Sequence, residues 1–280
     1  MSKFDRLSVY AVLLASGLAL FACRGRQTKD KYTDTATSGF ISISADESFR
    51  RIVQQEIDVF ESIYTMAGID PIYASEVDAI NLLLKDSVRL TVSTRRLTDA
   101  EKAGLEEKKF FPKEFKVASD AIALIVNRQN PDSIISLKDL SRILTGEVTE
   151  WSELYPGSKL GKLQLVFDNP NSSTVRYAID SICRGRPLAG SLHAQKSNAE
   201  VIDFVSQSPS AIGVIGVSWV GSESDSTNLS FSDRVTVMAV SREEKATEQN
   251  SYKPFQAYMA LGDYPLMRDV YVLSLIHISE

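Results

Sequence analysis

The sequence predicts an α/β protein of two lobes with a ligand cleft between them, and three observations carry that prediction. Short apolar strands alternate with stretches of helical spacing from Phe40 onward. A long apolar run at Phe115–Val126 then opens a second set of strands and helices. Two late apolar segments, Val235–Val240 and Val270–Leu273, read as strands returning towards the first set. Strands and helices alternating at this spacing imply a largely parallel sheet, and small ligands bind in clefts of this kind.

The elements follow in order. Phe40–Ile43 alternates as a strand, Ala45–Glu47 turns, and Ser48 opens a helix. Phe49, Ile52, Val53, Ile57, Phe60 and Ile63 fall on one helical face. Ile72-Tyr73 begins a second strand, Val77–Lys85 a helix and Val88–Val92 a third strand. In the second set, Asp120 interrupts the buried strand, Leu137–Leu144 is helical, and Leu163–Phe167 is a strand. Thr174–Cys183 and Ala199–Val205 are helical, and Ile212–Val217 is a strand. The expected division is therefore 39–115 plus 241–273 for the first lobe and 116–240 for the second.

The first residues predict export. Leu7–Ala22 is almost wholly apolar or small and follows a short basic start, too short and too soon followed by charge for a permanent membrane span. Residues 1–22 read as a signal peptide whose Leu20-Phe21-Ala22-Cys23 ending resembles a bacterial lipobox, although Phe21 is larger than the residue usual there. Acylation of Cys23 would hold the protein on the periplasmic face of a bacterial membrane. Residues 24–38 are polar and read as a tether. Cys183, the second of two cysteines, then has no disulfide partner and is expected as a small buried hydrophobe. The two histidines, His193 and His277, have no ligand spacing around them, so neither a metal nor another cofactor is expected. The overall charge is −5; Lys3 and Arg6 against Asp5 give the signal segment +1, leaving about −6. That balance argues against nucleic acid as a partner.

Three loops follow strands and precede helices: Ala45–Ser48, Ser93–Arg96 and Asn171–Thr174. Helix starts expose unpaired amides at the positive end of a dipole, and small hydroxyl residues there can add donors to an oxyanion. Taken singly, each loop is weak evidence and reads first as simple helix capping. Three on a two-lobed chain, with Arg95 and Arg176 beside them, favour a tetrahedral anion.

Ile43-Ser44-Ala45-Asp46-Glu47-Ser48-Phe49 resembles the first ligand loop of the periplasmic phosphate-binding proteins of ABC importers. Val92–Thr98 is similar to their Ser-Ser-Arg-x-Leu segment, and Asp120–Asn127 to their Asp-Gly-Ile-Ala strand. Leu137–Trp151 resembles the helix and Gly-x-x-x-x-Trp turn that follow, and Ser172–Arg176 stands where the family has Ser-Gly-Thr-Arg. Ala211-Ile212-Gly213 and Tyr264-Pro265-Leu266-x-Arg268 match two later landmarks, so the resemblance runs from Gly39 to Leu273.

The resemblance implies a two-lobed, type II periplasmic-binding-protein-like fold, inorganic phosphate as ligand, ABC permease subunits as partners, and a monomer. It implies hydroxyls from Ser48, Ser172 and Thr174, amides from Phe49 and Ser173, and charge from Arg176. Ser75, Ser93, Thr94 and Arg95 complete the expected ligand set. Three positions depart from the pattern. Ser173 replaces a glycine, Glu76 stands near a position where the family often has Ser, and Thr94 occupies the place of an Asp that accepts the proton of hydrogen phosphate. Such a carboxylate selects phosphate over sulfate. Asp120 and Asp46 are the candidate replacements, Asp120 being equally readable as a structural partner of Arg95 or Arg176. The final heptapeptide, Ser274–Glu280, reads as a non-native tail. Another tetrahedral oxyanion, or a sensing module without transport, is the rival reading. A hydrolase using Ser48 or Ser172 is not expected, because no histidine is placed as its base.

Overall fold

The computed structural model describes residues 35–190, 192–221 and 230–275. The signal segment, Cys23, most of the tether and the last five residues of the expected tail lie outside them. Ser38–Asp46 forms β1, longer at both ends than the alternation suggested, and a 3-10 turn at Glu47–Phe49 leads into helix α1, Arg50–Ile63. Then follow β2 (Met66–Ala74), α2 (Glu76–Leu84), β3 (Leu90–Ser93) and α3 (Asp99–Glu107). The α3 helix is the one that the Ser93–Arg96 loop was expected to precede; the apolar pattern leaves its span open, although a Thr98–Glu101 capping box marks its start.

The second half comprises β4 (Lys113–Val126), β5 (Ile134–Ser136), α4 (Leu137–Leu144), β6 (Gln164–Phe167) and α5 (Ser173–Tyr177). A π-helical turn, Ala178–Ile182, extends α5. After it come β7 (His193–Ala194), α6 (Asn198–Gln207), β8 (Ala211–Gly216), β9 (Thr236–Val237), β10 (Ala239–Ser241) and β11 (Ser251–Tyr252). The short α7 (Gln256–Leu261) precedes the last strand, β12 (Met267–Ser274).

One mixed sheet runs β2-β1-β3-β12-β4-β8-β6-β7, with β9 also paired to β4. The 14-residue β4 joins its halves. Lys113–Ala121 pairs with β12, whereas Ile122–Val126 pairs with β8. Burial changes at the same place: Lys116–Ser119 is exposed and Asp120–Val126 is buried. Asp120 therefore sits where the strand passes from one lobe to the other.

The expected return of Val235–Val240 to the first lobe does not occur. Met238 is fully buried and donates its amide to Leu124, splitting the segment into β9, on β4, and β10, in a separate sheet with β5 and β11. Tyr252, Met259, Tyr264 and Leu266 join the core around Leu140 and Trp151, and β12 makes the return to β3. Trp151 is fully buried and donates from Nε1 to the Ser210 carbonyl at 2.9 Å. Gly213 admits α6 onto β8, since a Cβ there would lie 2.8 Å from Ile125 and Val201. Cys183 is buried in the same core as Trp151, as its chemistry suggested.

The first lobe has a smaller core of Ile80, Leu83, Val88, Leu97, Leu105, Leu273 and Leu275. Two residues of the expected tail are thus integral: Ser274 ends β12, and Leu275 is buried with its amide on the Arg89 carbonyl. The apolar face of α1 is only partly covered. Phe49 and Ile57 are buried, but Ile52 and Ile63 are exposed, and Ile52 lines a groove of about 460 Å³.

Candidate functional site

The three loops converge, and their donors meet the chain's own carboxylates. In the first loop Asp46, 1% exposed, accepts from the Ser48 amide at 2.9 Å and from the Ser48 hydroxyl. Its second oxygen accepts the Ser173 amide from the third loop at 3.3 Å. Ser48 and Ser173 are further tied to Arg268, whose Nη2 and Nη1 donate to their hydroxyls at 3.0 and 2.7 Å. The same guanidinium lies over the Phe49 ring, 4.9 Å from its centroid.

Arg268 also answers the question of Asp120. Its Nε and Nη2 stand 2.8 Å from Asp120 Oδ2, both side chains being buried. The expected pairing of Asp120 with Arg95 or Arg176 is therefore corrected: Asp120 is the partner of Arg268. The two residues face each other in the β4–β12 register, so backbone pairing sets the ion pair. Arg95 turns the other way, donating twice to Glu101 at 2.7 and 2.8 Å in the cap of α3. Its remaining bonds stay within its own loop, the amide donating to the Ser93 hydroxyl at 3.2 Å and the guanidinium to the Arg96 carbonyl at 2.9 Å.

Glu76 is the residue whose position was least legible. It is the first residue of α2, capped by Ser75, and its side chain is 2% exposed. Its Oε1 accepts the Thr94 amide (2.8 Å), the Thr94 hydroxyl (2.7 Å), the Ser93 hydroxyl (3.0 Å) and Arg176 Nη2 (3.3 Å). Oε2 accepts Arg176 Nε at 2.6 Å. Burial alone would raise this carboxyl, but Arg176 and the Thr94 donors outweigh it and hold the group below its ordinary value.

The third loop closes on Asp168. Thr174 donates its hydroxyl to Asp168 at 2.6 Å and shares a 2.7 Å contact with Ser172, the N-cap of α5. Asn198 donates to Asp168 at 3.2 Å and to Glu47 at 2.5 Å, and receives the Gly216 amide at 3.0 Å. Gly216 packs closely here, since a Cβ would lie 3.2 Å from the Ser48 carbonyl and crowd it. A cleft cavity of about 290 Å³ opens beside Asp46, Arg50, Ser75, Asp168, Ser172 and Lys196. The Ser75 hydroxyl faces that cavity but serves Asp78 in the cap of α2.

A family model described as the PBP superfamily domain matches residues 30–275, nearly the whole described chain. The chain belongs to the PBP superfamily. Among relatives of this PBP-superfamily protein, the phosphate-binding protein PstS of Pseudomonas aeruginosa PAO1 is 24% identical over 257 residues, covering 85% of this chain and 73% of the relative. PstS of Bacillus subtilis 168 is 25% identical, covering 92% and 80%. A Clostridium perfringens structure described as a phosphate ABC transporter substrate-binding protein superposes with TM-score 0.69 at 20% identity, covering 84% and 86%. An ABC-type phosphate transport receptor from Vibrio cholerae gives 0.61 at 20%, covering 86% and 89%. These likenesses give the two-lobed binding-protein fold read from the sequence.

Against the expected ligand set, the fold unites Ser48, Ser93, Thr94, Ser172, Ser173, Thr174 and Arg176 and leaves Arg95 aside. Arg268, Asp168, Asn198 and Gly216 were missed as site residues. Only Arg268 had a signal, as the end of the Tyr264-Pro265-Leu266 landmark.

The carboxylates make the site's stability depend on pH. Burial pushes Asp46 up to about 6, partly opposed by Arg268, and pushes Glu47 up to about 7 against its Asn198 hydrogen bonds. Both bind protons more tightly folded than unfolded, so their contribution is complete below about pH 4 and is lost as pH rises through 6 and 7. Stability in chemical denaturation is expected to fall between pH 5 and pH 8, Asp46 alone contributing on the order of 1 kcal/mol over that interval. Asp46→Asn should flatten the profile, and a profile that rises over that interval would refute the assignment.

Proposed function

We propose that this PBP-superfamily protein captures inorganic phosphate outside the cytoplasm, as a monomer without catalysis, and delivers it to the permease of an ABC importer. One observation carries the reading: a single carboxylate oxygen of Glu76 takes a main-chain amide, two hydroxyls and a guanidinium from opposite sides of the cleft. That is a donor set suited to one oxygen of a tetrahedral oxyanion. The names of the Pseudomonas and Bacillus relatives point to phosphate among such anions. The ligand set proposed is Ser48, Ser75, Ser93, Thr94, Ser172, Ser173, Thr174 and Arg176, with Asp46 in the proton-accepting role. In this reading lobe closure replaces the anion's water by fixed donors.

Calorimetric titration of the exported form with phosphate, sulfate, arsenate and molybdate tests the proposal. Saturable phosphate binding with weaker sulfate binding is expected; sulfate or molybdate bound more tightly than phosphate would shift the ligand to another oxyanion. The proposed anchor at Cys23 rests on the apolar Leu7–Ala22 segment and the lipobox-like ending before it. Metabolic labelling with a fatty acid should mark the wild type and not Cys23→Ser, and equal labelling of both would remove the anchor from the account.

A further inference from the structure

Glu76 and the Arg176 that holds it belong to different halves of the fold. Glu76 starts α2, and its Ser93 and Thr94 donors end β3, all in the first lobe. Arg176 lies on α5 of the second lobe and bridges both by donating to Glu76 and, at 2.6 Å, to the Thr94 hydroxyl. A second contact across the same seam runs from the Val77 amide to the Asn171 carbonyl at 3.5 Å. The carboxylate is thus seated in donors from two lobes, and its own backbone is fixed by the Ser75 cap of α2.

We infer that Glu76 is a tethered occupant of the oxyanion subsite formed by Ser93, Thr94 and Arg176, and that an entering anion must displace it. While seated, it latches the second loop to α5 and holds the cleft closed. This inference rests on the phosphate reading for its ligand, but not for its latch. An anion and the seated carboxylate cannot share these donors, because each N–H and O–H proton serves one oxygen well and the two negative charges repel at contact distance. The apparent affinity is the intrinsic affinity scaled by the fraction of molecules in which the subsite is free. Glu76 therefore sets the concentration at which the site fills, and its unseating couples filling to lobe movement.

The test compares wild type with Glu76→Gln, which keeps the side-chain volume and removes the charge, and with Glu76→Ala. Calorimetry with inorganic phosphate should show both variants binding more tightly, by about tenfold if the wild-type subsite is self-occupied nine-tenths of the time. Small-angle scattering of the same proteins without added anion should show a larger radius of gyration for both variants than for wild type. Variants that bind phosphate no more tightly than wild type would overturn the occupant role. If neither wild type nor variants bind phosphate, the ligand reading fails by itself and scattering decides the latch. Expansion of the variants would sustain it, and unchanged dimensions would end it.

Discussion

Arg268→Met is expected to be the most damaging single change at the cleft, lowering stability by about 3–5 kcal/mol. Arg268 is 6% exposed, and Asp120, its ion-pair partner, is 7% exposed. Methionine keeps much of the volume but leaves a buried carboxylate with no cation. Removing one member of a buried pair costs far more than the pair contributes, because the remaining charge stays desolvated. The Ser48 and Ser173 hydroxyls lose their Nη2 and Nη1 donors in the same step. In a chain of this size each kcal/mol moves the midpoint by about 2–4 °C, so thermal unfolding should drop by roughly 10 °C or more. Adding Asp120→Leu should recover much of that loss, since the double variant has no stranded charge. A single variant that melts within two or three degrees of wild type would mean that the pair is not desolvated as the structure has it.

Thr174→Ala should weaken phosphate binding by roughly tenfold to hundredfold, the equivalent of about 1.5–3 kcal/mol. The direction is the one expected if the hydroxyl met the ligand itself, but the route is different. Its proton goes to Asp168, 1% exposed, while the oxygen meets Ser172. Alanine leaves an Asp168 oxygen short of a donor and frees the Ser172 hydroxyl that caps α5. The amides of the third loop then lose the register that aims them at the cleft. Thr174→Ser restores the hydroxyl and should bind within a few-fold of wild type. Equal affinity in Thr174→Ala and wild type would show that the third loop does not face the anion. Arg95→Ala provides the contrast: its guanidinium serves Glu101 in a helix cap, so affinity should stay within twofold.

The positions of the loops were legible because their signals are local. A hydroxyl residue between an apolar strand and an apolar helical face says helix start wherever it occurs, and Ser75, Ser172 and the Ser48 turn all stand there. The alternation at Phe40–Ile43 and the run at Ala121–Val126 are likewise patterns of period two or of continuous burial. The span of α3 is not legible in the same way, because Asp99–Glu107 buries only Leu105 and so carries little apolar rhythm. The fate of Val235–Val240 was misread for a related reason. An apolar run reports that a strand is buried, not which neighbour it pairs with, and the choice between β4 and the first lobe is made by Met238 folding inward.

Sequence by itself determined the fold class, the three loops and the hydroxyl-rich character of the site, because each depends on residues within a few positions of one another. The pairing of charges was decided only by tertiary structure. Asp120 meets Arg268 across 148 residues because β4 and β12 lie antiparallel in one register, and Glu76 meets Arg176 across 100 residues because two lobes close on one seam. The acids and arginines near a cleft can be matched in many ways, and Coulomb attraction between them is nearly indifferent to sequence separation. Burial breaks that degeneracy. A charge removed from water must find its partner within hydrogen-bonding distance, and the backbone topology decides which partner is there.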